Sequence, residues 1–278
     1  MSQAHTDSSN PTRVNWTAVL VYFSIACGLS WPLMWWSLTE SWTRTAIPLC
    51  PRWMAVMWGP GIAALVCFVL FRKNHRRTIT FWGSSKTLSA LFYLFPMLLL
   101  AFTAPPAGQF LLAIFRNPGA HQVTPGLFLL DVVVRFSRTL GEELGWRGFL
   151  QDALRPMRFV PRFLSIGVLW EFWHLIFRMD HLSLGQLVVV LAISYPAAIL
   201  LSFIIGVAVE RSRSLCVAVS LHAWINLAND VPTRGVFVVL GISILFWIFL
   251  LWRWPQPSKN PVPIAVPTTG GAGFLLPH

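Results

Sequence analysis

The chain alternates between long apolar runs and short polar stretches from residue 15 to residue 252. A helix needs roughly 17 to 25 mostly apolar residues to cross a bilayer. This pattern predicts an all-α integral membrane protein, a bundle of about eight transmembrane helices in one polytopic membrane domain. The polar residues 1–14 are predicted to form a cytoplasmic N-terminal tail, and the Pro- and Gly-rich residues 253–278 a disordered tail. The predicted helices are 15–37, 53–71, 88–114, 126–150, 161–178, 185–209, 214–229 and 235–252.

Composition and charge support this class. Hydrophobic residues make up 55% of the chain and charged residues only 11%, against about 25% charged residues in soluble domains. With the N-terminus in the cytoplasm, 13 of the 21 Lys and Arg residues fall on the cytoplasmic side, 5 on the opposite side and 3 within the fourth helix. This bias predicts a multi-pass protein of the cell membrane with both termini inside. No zinc-finger, RNA-binding or basic-helix pattern supports a nucleic-acid partner for the net charge of +11.

The cysteines and the first residues carry no further signal. No two cysteines form a CxxC pair, which favours ordinary buried small side chains. The polar start contains no short apolar stretch with a cleavage site, so the first helix is expected to remain as an anchor. The four cysteines are Cys27, Cys50, Cys67 and Cys216.

Ionisable residues inside the predicted helices are confined to the fourth, fifth and seventh. Such a residue costs roughly 2.5 to 3.5 kcal/mol at the centre of a membrane helix, so it usually faces a cavity or a partner. Glu142, His174 and His222 lie about 20, 18 and 14 Å from the predicted cytoplasmic ends, at 1.5 Å per residue. Their similar depth predicts a polar intramembrane cavity between the three helices.

Helical spacing suggests different roles for the two adjacent carboxylates. Glu143 and Arg147 are four residues apart and can pair along one helix face. Glu142 is rotated from Glu143 by about 100° and can face a cavity. The alternative is a ladder of intrahelical ion pairs, in which Arg138 pairs with Glu142 and Asp131 with Arg135. The spacing alone leaves both interpretations open.

His222 and Asn226 are also four residues apart, so they can face one point. Together they can stabilise a developing oxyanion. The alternative is an ordinary hydrogen bond between helices, which is common for His and Asn in membrane bundles.

Three motifs resemble those of a known family. "EELGWR" at residues 142–147, "WEFWH" at 170–174 and "HAWIN" at 222–226 are similar to the EExxxR, FxxxH and HxxxN motifs. They belong to the CPBP family (CAAX protease and bacteriocin-processing, Abi) of intramembrane proteases, which includes Rce1-like prenyl-protein endopeptidases. The motif core covers about 131–229. Trp170 stands where the family usually has Phe, and Glu171 is an additional acid, expected to pair with an arginine of the fourth helix or to tune His174.

The resemblance implies a CAAX-type membrane endopeptidase with a cavity that opens to the cytoplasm. Glu142 would activate water with His174, His222 and Asn226 would stabilise the oxyanion, and Glu143 and Arg147 would support them. The cofactor stays open between none and a zinc ion held by Glu142, His174 and His222. The chain has no HExxH motif.

The resemblance also bears on partners and on rival functions. The expected partners are the lipid bilayer and a peptide or protein substrate, for which a prenylated CAAX tail is one candidate. Two other functions remain open, a non-catalytic membrane scaffold or bacteriocin-immunity protein and a proton-coupled transporter.

Overall fold

The computed structural model describes residues 13–39, 51–72, 77–103, 125–179, 182–230 and 234–255. Regular structure in these ranges is helical, apart from an isolated bridge between Thr80 and Ser214. A π-helix, Leu144–Leu150, connects α4 to α5. The α-helices are α1 (Trp16–Thr39), α2 (Pro51–Leu70), α3 (Lys86–Thr103), α4 (Pro125–Glu143), α5 (Gln151–Ala153), α6 (Phe159–Trp173), α7 (Leu175–Arg178), α8 (Leu184–Ser212), α9 (Leu215–Asp230) and α10 (Arg234–Arg253).

The helices follow the predicted apolar runs. The continuous segment of α4, π-helix and α5 replaces the predicted helix 126–150, and α6 with α7 replaces 161–178. The predicted third helix extends to residue 114, of which 104–114 lies outside the described ranges. The all-helical class is therefore confirmed.

Two of the described helices have the length and the apolar composition of a membrane span. In the described ranges, Trp16–Trp36 and Leu184–Ser212 are long and apolar enough to cross a membrane. Four shorter helices are also apolar: Met54–Leu70, Lys86–Leu99, Leu215–Ala228 and Phe237–Arg253. These helices are compatible with a membrane bundle, and the number of eight spans stays a prediction.

Glycines allow α2 to approach the segment that carries the two carboxylates. A Cβ atom added to Gly61 would lie 2.7 Å from the Gly141 carbonyl oxygen, and one added to Gly141 would lie 2.8 Å from the Met57 carbonyl oxygen. A Cβ added to Gly145 would lie 2.6 Å from Pro60 Cβ. Small residues at a helix interface permit such close packing. The contact fixes the end of α4 against α2.

The fifth predicted helix is interrupted at His174, between α6 and α7. The Trp31 indole N–H of α1 donates to the Trp173 carbonyl oxygen at this break, with a distance of 3.0 Å. The side chain of Trp173 is buried. The interruption therefore occurs at a site that α1 supports by a hydrogen bond.

A polar cluster lies at the end of the bundle where the connection before α3 meets α5 and α8. Asp152 Oδ2 accepts from the Thr78 backbone N–H at 2.8 Å, and Asp152 Oδ1 accepts from Arg155 Nη2 at 2.6 Å. Glu210 accepts from Arg155 at 3.3 Å and from Arg162 at 2.9 Å. The carboxylates thus compensate basic residues that the charge bias assigned to the cytoplasmic side.

The same connection pairs with the turn between α8 and α9. Thr80 N–H donates to the Arg213 carbonyl oxygen at 3.0 Å, and the Thr80 carbonyl oxygen accepts from Leu215 N–H at 2.9 Å. Arg213 has a left-handed backbone with φ of 57°. These bonds fix the beginning of α9, the helix that carries His222 and Asn226.

Two expectations about individual residues can be compared with the fold. Cys27, Cys67 and Cys216 are buried free cysteines, as predicted, while Cys50 lies outside the described ranges. The disordered tail was predicted to begin at residue 253, which is too early. Arg253 ends α10, and Trp254 is buried and donates to Ser84 Oγ at 2.8 Å. Residues 1–12 and 256–278 lie outside the described ranges.

Candidate active site

The two adjacent glutamates lie at a change of helix type. Glu142 and Glu143 are the last residues of α4, and the π-helix begins at Leu144. Both are buried, with 3% and 0% of their surfaces exposed. The predicted continuous α-helix over 126–150 is therefore wrong in its last two turns. A π-helix bonds residue i to i+5 and is frequent at functional sites.

Glu143 contacts the side chains of both Arg147 and His222. Arg147 Nη1 donates to Glu143 Oε1 at 2.9 Å, which confirms the contact predicted from the four-residue spacing. His222 Nδ1 lies 2.7 Å from the same oxygen. An ionised carboxylate can only accept, so this partner assigns the hydrogen to Nδ1. His222 Nε2 is then the ring nitrogen left for another group.

Trp170 connects Glu142 with His174. Its indole Nε1–H donates to Glu142 Oε2 at 3.1 Å. Its main-chain carbonyl oxygen lies 2.9 Å from His174 Nδ1. Because a carbonyl oxygen only accepts, His174 Nδ1 carries the hydrogen and Nε2 has a free lone pair in the neutral ring. The sequence indicated only that Trp170 stands in place of Phe and did not predict this role.

The Trp170 ring also contacts the Glu143 group. The Arg147 guanidinium carbon lies 4.6 Å from the ring centroid, within the range of a cation–π interaction. The His222 ring meets Trp170 edge to face, with the centroids 5.1 Å apart. Residues of all three motifs therefore pack around one indole.

His174, His222 and Asn226 line one cavity together with Trp170. The cavity has a volume of about 410 Å³. Glu142 is not among its lining residues, although its carboxylate is close enough to interact electrostatically with both histidines. The structure thus brings the predicted residues of three helices into one neighbourhood, with the Glu142 carboxylate bonded to the Trp170 indole.

Residues 124–228 match a family model described as Type II CAAX prenyl endopeptidase Rce1-like. Over this region the chain is similar to the Rce1-like family. The match includes every predicted site residue and all three motifs, so the resemblance stated from the motifs is confirmed. A comparison with curated proteins gives no match. The match suggests a protease that acts in a membrane context.

Glu171, the additional acid of the Rce1-like region, has a partner that the sequence did not predict. It was expected to pair with an arginine of the fourth helix or to tune His174, and Arg178 beyond the helix break donates to it. Arg178 Nε lies 2.8 Å from Glu171 Oε1, and Arg178 Nη2 lies 3.2 Å from Oε2. The ion pair lines the same cavity. The ion pair joins α6 to α7 across the break at His174 and does not involve α4.

The zinc alternative for the Rce1-like site was tested by its donor atoms. No group of three His, Cys, Asp or Glu side chains in the described ranges is arranged to hold a metal ion. Glu142 Oε2 contacts Trp170, and Nδ1 of His222 contacts Glu143. The described residues therefore do not assemble the expected donor set of Glu142, His174 and His222.

Proposed function

We propose that this protein is a membrane endopeptidase of CAAX type that hydrolyses a peptide bond with an activated water molecule. The observation that supports this most is the meeting of Trp170, His174, His222 and Asn226 around one cavity, with Glu142 bonded to Trp170. The Rce1-like match supports the same reaction class.

Water activation is assigned to Glu142 and His174. Glu142 is a buried carboxylate with one oxygen directed at Trp170. His174 donates from Nδ1 to the Trp170 carbonyl oxygen, which leaves Nε2 to accept a hydrogen bond from water in the cavity. The water gives its proton to Glu142 as its oxygen attacks the peptide carbonyl carbon. Glu142 then returns the proton to the leaving amine.

Oxyanion stabilisation is assigned to His222 and Asn226. The Asn226 amide group is a hydrogen-bond donor in every protonation state relevant to the reaction. His222 already uses Nδ1–H toward Glu143, so its Nε2 can donate to an oxyanion only when the ring carries both protons. The shared Glu143 carboxylate favours this imidazolium form, and Arg147 fixes the carboxylate.

The cavity wall supports a substrate with apolar side chains. One side consists of aliphatic residues of α8, which cannot satisfy a charged peptide side chain. A prenylated CAAX tail combines aliphatic residues with a membrane anchor and is the proposed substrate class. The opening of the cavity toward the cytoplasm is proposed from the family resemblance alone, because Arg155 and Arg162 do not line the cavity. The aliphatic wall contains Ala197, Ala198, Leu200, Leu201 and Ile204.

The experiment uses the purified full chain in lipid nanodiscs and a fluorogenic CAAX peptide with or without a farnesyl group. We expect cleavage by the unmodified protein, faster for the farnesylated peptide, and loss by at least about 1000-fold in Glu142→Gln because the general base is removed. Equal thermal unfolding of the two proteins controls for folding. Undiminished cleavage by Glu142→Gln contradicts the water-activation role. No cleavage by the folded, unmodified protein, or substrate-dependent proton movement in vesicles, contradicts the endopeptidase.

A further inference from the structure

We propose that Trp170 is a positioning residue that sets Glu142 and His174 relative to each other. This inference rests on the proposed function, because it concerns the pair that activates water there. Trp170 binds the two groups through different parts of itself. The indole N–H holds Glu142 Oε2 at 3.1 Å, and the main-chain carbonyl oxygen holds His174 Nδ1 at 2.9 Å.

Both contacts define the orientation of a reactive group. The bond to Glu142 engages Oε2, and the proton from water is assigned to Oε1. The bond to His174 fixes the ring hydrogen on Nδ1 and the lone pair on Nε2. One residue thereby determines which atom of each partner is available.

The Trp170 ring is itself held in place. Only 3% of its surface is exposed. The Arg147 guanidinium lies over the ring with its central carbon 4.6 Å from the centroid, and the His222 ring packs against it at 5.1 Å. Rotation of the indole away from Glu142 breaks both contacts. The ring therefore connects the water-activating pair to the group proposed for the oxyanion.

The hydrogen bond to Glu142 depends on the residue type at this position. The related motif has Phe where this chain has Trp170. A Phe ring keeps a face for Arg147, and the main chain keeps its carbonyl for His174, but Phe has no N–H for Glu142. A Trp170→Phe variant therefore removes the bond to Glu142 and keeps the carbonyl for His174 and an aromatic ring for Arg147 and His222.

The decisive experiment compares Trp170→Phe with Trp146→Phe in the farnesylated-peptide assay. Trp146 is fully buried, and its indole N–H has no acceptor among the described residues, so its replacement controls for lost ring volume. We expect kcat to fall about 10- to 100-fold in Trp170→Phe with KM changed less than about twofold, as for a lost hydrogen bond to a charged group. We expect Trp146→Phe to retain kcat within about threefold.

Other outcomes separate the two proposals. Equal kcat values for the two variants overturn the positioning role, as does a change in KM alone. Cleavage by Glu142→Gln contradicts the proposed function whatever Trp170 does. If Trp170→Phe does not fold, site-specific replacement of Trp170 by benzothienylalanine tests the positioning role. This residue keeps both fused rings and has sulfur in place of the N–H. Its kcat should then fall by the same factor, and an unchanged kcat overturns the proposal.

Discussion

His222 Nδ1 and Glu143 Oε1 lie 2.7 Å apart, although 79 residues separate them in the chain. This contact links α9 to the end of α4 inside the buried core. Arg147 contacts the same carboxylate oxygen. The negative charge of Glu143 is therefore shared by two buried partners, Arg147 and His222. The relationship gives Glu143 a structural role that can be separated from the role proposed for Glu142.

Glu143→Gln should destabilise the protein, because the fully buried Arg147 guanidinium loses its carboxylate. Removing one partner of a buried pair costs about 3–5 kcal/mol, so we expect a large fall in the free energy of unfolding. Denaturant unfolding in mixed micelles measures it. Glu171→Gln is the comparison: Glu171 is also buried, but 37% of the Arg178 side chain is exposed, so water can solvate the unpaired guanidinium and the loss should be smaller. Similar losses in the two variants contradict this account.

Asn226→Ala tests the proposed oxyanion site. Asn226 lines the cavity and is only partly buried, so its loss should change stability little. Loss of one oxyanion donor lowers kcat by about 100- to 1000-fold. Steady-state cleavage of the farnesylated peptide gives kcat and KM separately. An unchanged kcat with a raised KM would assign Asn226 to substrate binding instead.

Gly141→Ala tests the close approach of α2 and α4. The added Cβ would lie 2.8 Å from the Met57 carbonyl oxygen and 2.9 Å from Trp58 Cα, which are backbone atoms that cannot move aside alone. We expect a loss of about 1–3 kcal/mol, as for other overpacked sites, and lower activity because Glu142 follows directly. Gly28→Ala is the control, since nothing lies within 4 Å of its added Cβ. Equal unfolding midpoints for the two variants would show that α2 and α4 adjust freely.

Asp152→Ala tests whether the polar cluster fixes the connection before α3. Asp152 accepts from the Thr78 backbone N–H and side-chain hydroxyl, at 2.8 and 2.5 Å. Without these acceptors, amide hydrogens in residues 77–84 should exchange at least about tenfold faster, because local opening becomes easier. Exchange in α1 serves as the internal reference and should not change. Uniformly faster exchange in both regions would indicate global destabilisation instead.

The positions of the helices could be predicted from the sequence, because each apolar run is long and ends at polar residues. The Glu143–Arg147 contact was also predictable, since four-residue spacing places both on one helix face. The depth argument indicated that Glu142, His174 and His222 could share a region, and the structure brings them close.

The other contacts of the site join residues on different helices, and the sequence does not show how close those helices lie. The Trp170–Glu142 bond joins residues 28 apart, and nothing in the FxxxH-like motif marks an indole as a donor. The predicted partner of Glu171 was wrong: Arg178, seven residues later and beyond the helix break at His174, donates to it instead. The π-helix has no distinct residue pattern, and its close contact with α2 at Gly145 joins segments that are far apart in the chain.

The π-helix has a consequence for insertions and deletions. Each residue of an α-helix rotates the chain by about 100°. A π-helix has more residues per turn, so it changes the direction of the side chains after it relative to those before it. Glu142 at one end contacts α6, while Asp152 at the other contacts the connection before α3. Deleting a single residue within 144–150 and restoring α-helical pitch would orient only one of these ends correctly. The length of the π-helix therefore sets the direction of Glu142 relative to Asp152. A change in its length is expected to matter as much as a change in its residues.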